Sequence, residues 1–590
     1  MRKIISVILT AALLLTALAA VPASAAEQAA DNPFRFSVLS DGTAQITHCN
    51  IREGNVTVPA EIDGRAVTEI GEMAFSFSAL TGVDLPDSLR AVGRQAFLNC
   101  RSLQSIRFPD SLESVDYRAF DNTAWYTIQP DGVVYAGKVA YGCKGACPAK
   151  IELAEGTVGV ASWAFRDCSA LAEIAVPDSV RYIGAYAFNG TAWLDSQPDG
   201  IVYAGRVAYK MKGVCPSQAV IREGTVSIAE NAFYGCADAL QSVVIPDTVT
   251  AIGRGAFSQC CSLTDVVIPD SVTAIGENAF DRCSSLQTIT VPASVSFLGM
   301  GAFGQCSRLK DVTLDAPLRE MDSLTFQGCC SLAEIRLPDT VTIINSACFD
   351  GCTSLRKVTF PDSLTAIETG AFRDCTALAD VTLPDSLQYV SGGAFRGTPW
   401  LDAQPDGILY LGKTLWYVKG KYDKGLVIED GTEMIADYAF DGCESLFSVT
   451  LPASVKRLKS SVFSDTAAPQ YLEILNPECD IPMYDYAIPA SAVICGYMCS
   501  TADVYAAKFG RRFIALDYGV PGDVDMDGKP TVLDVTLVQR KEAEMVTLSD
   551  KQFRKADVNG DGKVNILDAT FLQRALAEMV ILPDLSDVAG

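Results

Sequence analysis

Residues 523–534 carry Asp523, Asp525 and Asp527 at alternate positions, then Gly528, Lys529, Thr531 and finally Asp534. Counted from Asp523, these are positions 1, 3, 5, 6, 7, 9 and 12 of a loop whose oxygens converge on one hard cation. Positions 1, 3 and 5 bind through side chains, 7 through its main-chain carbonyl and 9 often through water, and 12 closes the site. Glycine at position 6 permits the sharp turn. Asp557, Asn559, Asp561, Gly562, Lys563, Asn565 and Asp568 repeat the spacing in a second loop further along the chain. All-oxygen loops of this kind are calcium loops, so the sequence calls for two Ca2+ ions. One acidic turn is ordinary, but two with full ligand spacing point to metal. Over 24 aligned positions starting at Asp523 and Asp557, 14 are identical.

Each loop runs directly into a helix-forming stretch, which begins near Val532 and near Ile566. The residues before the first loop, Tyr518, Gly519, Val520, Pro521 and Gly522, cannot form the preceding helix of an EF-hand. Position 12 is also Asp, where an EF-hand has Glu. The loop-then-helix pair resembles a type I dockerin over residues 521–582. The resemblance implies a small all-α calcium-binding domain that tethers its chain to a cohesin module of a scaffoldin, as in a cellulosome. It places the partner contacts at Val532, Leu533, Gln539, Arg540 and Glu544 in the first half. In the second half they are Ile566, Leu567, Gln573, Arg574 and Glu578. Pro530 departs from the pattern at position 8, where the two loops pair through backbone and proline has no N–H to donate. The second loop therefore matches better, and Asp557→Ala is expected to cost more folding than Asp523→Ala.

The rest of the chain is a repeat. Fifteen phenylalanines, from Phe75 to Phe463, recur at a spacing of 23, with single spacings of 22 and 24 and three gaps of 45. A period of roughly 20 to 29 residues belongs to leucine-rich repeats. In one unit Leu332, Ile335 and Leu337 alternate as a short strand with one buried face. Pro338 and Asp339 stop it, and Val341, Ile344 and Phe349 line the inside of the return path. No unit can bury its apolar face alone, so the units must stack, with one parallel sheet and local contacts. Ile268, Pro269, Asp270, Ser271, Val272, Ile275, Gly276, Ala279, Phe280, Cys283 and Leu286 resemble the consensus of the BspA-like (Treponema pallidum-type) leucine-rich repeat family. The resemblance covers residues 32–517. It implies an α/β-type solenoid of about 23-residue units, with a cap around residues 41–64 and another around residues 496–516. The three long gaps each read as a hairpin insertion and hold Trp125, Trp193, Trp400 and Trp416. A recurring Thr-x-Trp is either a plug for the edge of the array or an aromatic contact for sugar, and its regularity favours the plug.

Met1, Arg2 and Lys3 precede an apolar run over residues 4–21 and a small-x-small site at Ala23, Ser24 and Ala25. This pattern predicts a secretory signal peptide over residues 1–25 and a secreted chain, extracellular or held at the cell surface through a scaffoldin complex. No second stretch is long and apolar enough to span a membrane after its removal. Lys plus Arg total 47 against 71 Asp plus Glu, a net charge of −24 that speaks against nucleic acid as a partner. His48 is the one histidine, so a multi-histidine zinc site is impossible and no nucleophile is paired with a base by spacing. Ten of the twenty cysteines follow a repeat phenylalanine by three residues, which describes buried thiols at a fixed rung position, with some disulfides open to an oxidising environment. Cys143 and Cys147 are spaced like a redox or metal pair, or a plain disulfide. The sequence thus points to a non-catalytic interaction protein whose solenoid binds an unidentified protein or polysaccharide. The alternative is an adhesin or glycan-binding protein acting on plant or host surface polysaccharide, with a hydrolase a distant third.

Overall fold

The structure, a computed structural model, describes residues 32–39, 41–423, 425–441, 443, 445–464, 469–516, 522–526, 529–558 and 563–577. The expected signal peptide lies outside them. The chain divides into two compact units, Met1–Thr325 and Phe326–Gly590.

In the first unit a typical rung buries every apolar position of the repeat. Leu263, Val266, Ile268, Val272, Ile275, Phe280, Cys283 and Leu286 are all interior. Two parallel ladders run through the rungs, where one was expected. The first joins Gln218–Val220, Ser242–Val244 and Asp265–Val266; the second joins Ser227–Ile228, Ala251–Ile252, Ala274–Ile275 and Phe297–Leu298. Strands of the second ladder are two residues long, too short for alternation to be read from sequence. The return path stays a turn because its donors are spent between rungs. Asn278, Phe280 and Arg282 donate their N–H groups to the carbonyls of Met300, Ala302 and Gly304 at 2.7–2.8 Å. Helix in the repeat region is accordingly confined to short segments.

The phenylalanines form a ladder of offset stacks. Ring centroids are 4.9 Å apart for Phe233 and Phe257, 5.2 Å for Phe257 and Phe280, and 5.5 Å for Phe280 and Phe303. In the second unit Phe326, Phe349, Phe372 and Phe395 continue the pattern at 5.2–5.5 Å. The cysteine three residues on has a polar task. Cys283, Cys306, Cys352 and Cys375 donate their thiols to the carbonyls of Phe257, Phe280, Phe326 and Phe349 at 3.1–3.3 Å, one rung removed from their own phenylalanine. A thiol is a small apolar group with a weak donor, which suits a buried carbonyl. Three of the ten depart from this: Cys236 is joined to Cys215, Cys168 is half-buried beside two other cysteines, and Cys443 donates to the Val418 carbonyl. Burial raises the Cys260 and Cys375 thiols to about 12. Native protein at pH 8 is therefore expected to leave the buried repeat thiols unreacted with iodoacetamide, and denaturation to release them; rapid labelling of Cys283 or Cys306 in the native protein would contradict this.

Where the second ladder's strands end, rungs of the first unit press together. A Cβ added to Gly276 would lie 2.6 Å from the Arg254 nitrogen, and one on Gly299 would lie 2.5 Å from the Glu277 nitrogen. Glycine after the strand isoleucine or leucine therefore lets the backbones of neighbouring rungs approach on this side. Arg254 consequently reaches both Glu277 and Asp116, 138 residues away, at 3.3 Å. Glu69 sits on the same side. Burial, opposed by a hydrogen bond from Gln45 and aided by the charges of Glu277, Asp41 and Asp322, raises its carboxyl from 4.5 to about 7. A raised folded-state value favours the protonated form, so this contribution to stability is full below pH 4.5 and is lost as pH rises through about 7. Thermal unfolding should show Glu69→Gln stabilising the protein at pH 8 relative to wild type and leaving it nearly unchanged at pH 4; an equal effect at both would remove Glu69 from the pH response.

Each insertion is an added rung. Helix α1 (Ala124–Ile128) is capped by Thr123, which accepts from the Tyr126 N–H, and leads into the antiparallel pair Gly132–Ala136 and Val139–Lys144. The second strand of that hairpin then pairs in parallel with Gly159–Val160, so it joins the inner ladder. Helix α2 (Ala192–Ser196), capped by Thr191, repeats the arrangement with Gly200–Ala204 and Val207–Lys212. In the second unit α3 (Pro399–Asp402), capped by Thr398, does so with Gly407–Leu411 and Thr414–Lys419. Trp125, Trp193 and Trp416 are buried, with Trp125 5.1 Å from Phe120 and Trp193 5.0 Å from Phe188 between ring centroids. These three tryptophans plug the core, while Trp400 is half-buried with its ring 4.6 Å from that of Phe395 between centroids.

The repeats close on α4 (Thr501–Phe509), capped by Ser500 and ended by Gly510 at φ 62°, followed by the strand Phe513–Ala515. Beyond it lie three helices: α5 (Val532–Glu542), α6 (Asp550–Ala556) and α7 (Ile566–Leu576). Their core is Val524, Val535, Val538, Ala556, Val558, Val564, Ala569 and Leu572. Val524 and Val558, Val535 and Ala569, and Val538 and Leu572 are each separated by the same interval as Asp523 and Asp557, so the core repeats with the loops. No helix among the described residues is long and apolar enough to cross a membrane.

Candidate metal centre and docking face

In the first loop the position that closes the ion site also starts the helix. Asp534 is the N3 residue of α5, and its Oδ2 accepts from the Thr531 N–H at 2.7 Å. Thr531 Oγ1 in turn accepts from the Leu533 N–H at 3.1 Å and from the Asp534 N–H, the second of which completes a capping box. The other oxygen of Asp534 accepts from the Asp525 N–H at 2.8 Å and folds the loop over. As a result, carboxylate oxygens of Asp523, Asp525 and Asp534 lie within 4.8 Å of one another. Oxygens sharing one calcium at about 2.4 Å can be at most about 5 Å apart, so this set fits the ion. Asp523 and Asp534 are buried, and carboxylates held so close repel one another; Lys555, with its Nζ 3.0 Å from Asp523, offsets one of the three charges and leaves the rest for a cation. Lys529, at position 7, is exposed and would contribute its carbonyl. Asp527, at position 5, lies outside the described residues.

The second loop is built alike at its two ends. Asp557 ends α6 at its C-cap. Asp568 is the fully buried N3 residue of α7, its Oδ2 accepting from the Asn565 N–H at 2.9 Å while Asn565 Oδ1 accepts from the Leu567 N–H at 2.8 Å. Lys563 is exposed. Asn559 and Asp561 lie outside the described residues. In both copies, positions 9 and 12 of the loop are thus the N-cap and N3 of the helix that follows. The metal would hold the loop, and the loop's own acids order the helix.

Sequence reasoning missed two parts of this site. One is α6, whose start was legible as Ser549 followed three residues later by Gln552, a reciprocal capping pair in the structure. It gives the second loop a preceding helix. The other is Lys555 on α6, whose Nζ lies 3.0 Å from Asp523 Oδ2 with both side chains buried. No local spacing connects two positions so far apart in the chain. This pair argues for the opposite order of the two alanine substitutions to the one expected from Pro530. Asp523→Ala would strand a buried ammonium, at a cost of about 3 kcal/mol or more, whereas Asp557 is only half-buried. Asp523→Ala is therefore the more damaging change.

Both helix starts present apolar side chains to solvent. Val532 and Leu533 are 73% and 67% exposed, and Ile566 and Leu567 are 52% and 59% exposed. Gln539, Arg540, Glu544, Gln573 and Arg574 are exposed as well. Glu578 lies outside the described residues. Adjacent large apolar residues left in water at the same place on two equivalent helices mark an interaction surface.

A strand-and-turn solenoid joined to a small helical module with acidic ion loops defines a class of interaction protein, and the comparisons name it. The BspA type leucine rich repeat region matches in six copies over residues 68–195, 226–356, 319–403 and 419–487, well over half of the chain. The dockerin type I domain matches residues 521–577. The chain belongs to the BspA-type leucine-rich repeat family and carries a dockerin type I domain, which is a calcium-binding module. Both are non-catalytic modules. Among solved structures, a leucine-rich cell surface protein from Faecalibacterium prausnitzii is 25% identical, covering 62% of this chain and 96% of that one, with a TM-score of 0.22. Leucine-rich repeat proteins from Eubacterium ventriosum (18% identity, 65% and 96% covered, TM-score 0.28) and Bacteroides ovatus (19%, 79% and 98%, 0.23) are also similar. No curated protein matches the chain at a significant level.

Proposed function

We propose that this chain is an exported, non-catalytic docking protein of a cellulosome-type complex. In this reading residues 1–25 are removed on export. Residues 32–517 form a solenoid that binds its own ligand, a protein or a polysaccharide, and residues 521–582 dock on a cohesin module of a scaffoldin with two calcium ions bound. The observation that carries the reading is the doubled face. Val532, Leu533, Gln539 and Arg540 recur as Ile566, Leu567, Gln573 and Arg574, exposed in both copies and each time set directly on an acid-capped ion loop. A module with two equivalent faces can seat one partner through either helix. Burial of Trp125, Trp193 and Trp416 weakens a glycan-directed reading, which keeps the half-buried Trp400 as its one such aromatic.

Titration calorimetry of the full chain against a purified type I cohesin module in calcium tests this. Replacing Gln539 and Arg540 by alanine, or Gln573 and Arg574, should each weaken binding less than tenfold, while replacing all four should abolish it. A single pair that abolished binding would end the two-face reading, and no binding with wild type in calcium would end cohesin recognition for that partner class.

A further inference from the structure

The three insertions are copies of one segment, and they align on Lys144 and Gly145, Lys212 and Gly213, and Lys419 and Gly420. With that alignment Cys147 corresponds to Cys215 and to Tyr422. Cys168, Cys236 and Cys443 correspond to one another. Cys143 corresponds to Met211 and Val418. In the second insertion Cys215 and Cys236 form a disulfide. In the third, with tyrosine at one position, the Cys443 thiol donates to the Val418 carbonyl at 3.5 Å. In the first, the sulfurs of Cys143, Cys147 and Cys168 lie within 4.8 Å of one another, and all three residues are half-buried. Cys143 and Cys168 line an open pocket of about 350 Å3 whose other walls include Tyr117, Tyr126, Trp163 and Arg166.

We propose that Cys147 and Cys168 form the disulfide that Cys215 and Cys236 form one insertion later, and that Cys143 is an exchange thiol able to displace Cys168 from it. The pair closes when the two thiols give up two protons and two electrons to a small disulfide of the oxidised-glutathione class, which leaves as two thiols. In the exchange step the Cys143 thiolate attacks Cys147 Sγ. The bond between Cys147 and Cys168 breaks, and Cys168 departs as a thiolate and takes up the proton that Cys143 lost. No net oxidation occurs. The two isomers differ in what they fasten. A Cys147–Cys168 bond ties the insertion to the next rung, whereas a Cys143–Cys147 bond stays within the insertion and frees it. The cluster is therefore a redox clasp beside an open pocket that a small thiol or disulfide can enter.

One observation favours this over a thiophilic cation held by three thiolates. The second insertion closes the equivalent pair with methionine in place of the third cysteine, so pairing does not depend on Cys143. With all three thiols reduced, burial is the main cause that raises Cys143 to about 12 and Cys147 to about 11, so thiolate is scarce at neutral pH and exchange is faster in alkali.

Peptide mapping of the full chain tests the proposal, after equilibration in a reduced and oxidised glutathione buffer and alkylation in denaturant without reductant. The Cys215–Cys236 link serves as the internal control for folding. Wild type should yield mainly a Cys147–Cys168 link with Cys143 alkylated. Cys143→Met should keep that link, and Cys168→Ala should move it to Cys143–Cys147. Wild-type protein held at pH 10 gives the same information without a substitution, since both isomers should then be found. All three cysteines alkylated while Cys215–Cys236 is linked would overturn the disulfide. Protection of all three until a chelator is added would assign the cluster to a metal instead. A lasting absence of any Cys143–Cys147 link, both in Cys168→Ala and at pH 10, would remove Cys143 as the exchange thiol.

Discussion

Withdrawing calcium is expected to unfold the C-terminal module while the solenoid stays folded. The module has about 60 residues, a size at which a core alone is marginal. Its core is eight side chains, mostly valine and alanine. Against that stand three carboxylates of the first loop within 4.8 Å of one another, two of them buried. A bound ion at a hundredfold above its dissociation constant adds about 2.7 kcal/mol per site, comparable to the whole stability of so small a domain. Loss should also spread to the helices, because Asp534 and Asp568 both close the ion loops and complete the capping boxes of α5 and α7. Replacing either with alanine removes a cap worth about 1 kcal/mol in addition to the ligand. Scanning calorimetry of the full chain should show one transition that falls by about 15 °C or more on adding EDTA and returns with calcium. A thermogram indifferent to EDTA would sink the ion assignment and the docking reading that rests on it.

Phe280→Ala should be among the most costly single changes in the first unit, at about 3–5 kcal/mol. The ring is fully buried and stacks on two neighbours, Phe257 at 5.2 Å and Phe303 at 5.5 Å between centroids. In a stacked array, stability is approximately a sum over rungs and their interfaces. Removing one ring weakens two interfaces and leaves distant rungs untouched. Hydrogen exchange should therefore accelerate around residues 257–303 and remain unchanged near Phe75 and Phe97. Thr290→Ala, an exposed position on a strand of the neighbouring rung, should stay within about 0.5 kcal/mol. A uniform rise in exchange across the unit, or an equal cost for the two substitutions, would refute the rung-by-rung account.

Period and short spacing were legible in the amino-acid sequence because they are relations between residues a few positions apart. The regularly recurring phenylalanine, the hairpin insertions and the threonine two residues before each buried or half-buried tryptophan are of this kind and the structure builds them, as the spacing of the Asp523 loop is, of which the structure brings Asp523, Asp525 and Asp534 together. Three-dimensional packing alone decided the rest. The ladder through Ala274–Ile275 exists because two residues per rung meet across a close backbone approach that Gly276 permits. Arg254 meets Asp116, and Glu69 feels Glu277, because rungs far apart in the chain lie side by side in the first unit. Lys555 reaches Asp523 because α6 folds back on the loop that precedes it. Cys168 joins Cys143 and Cys147 because an insertion packs onto the rung after it. Contacts of this last kind are set by the sum of many local geometries, and a linear reading of residue spacing does not contain that sum.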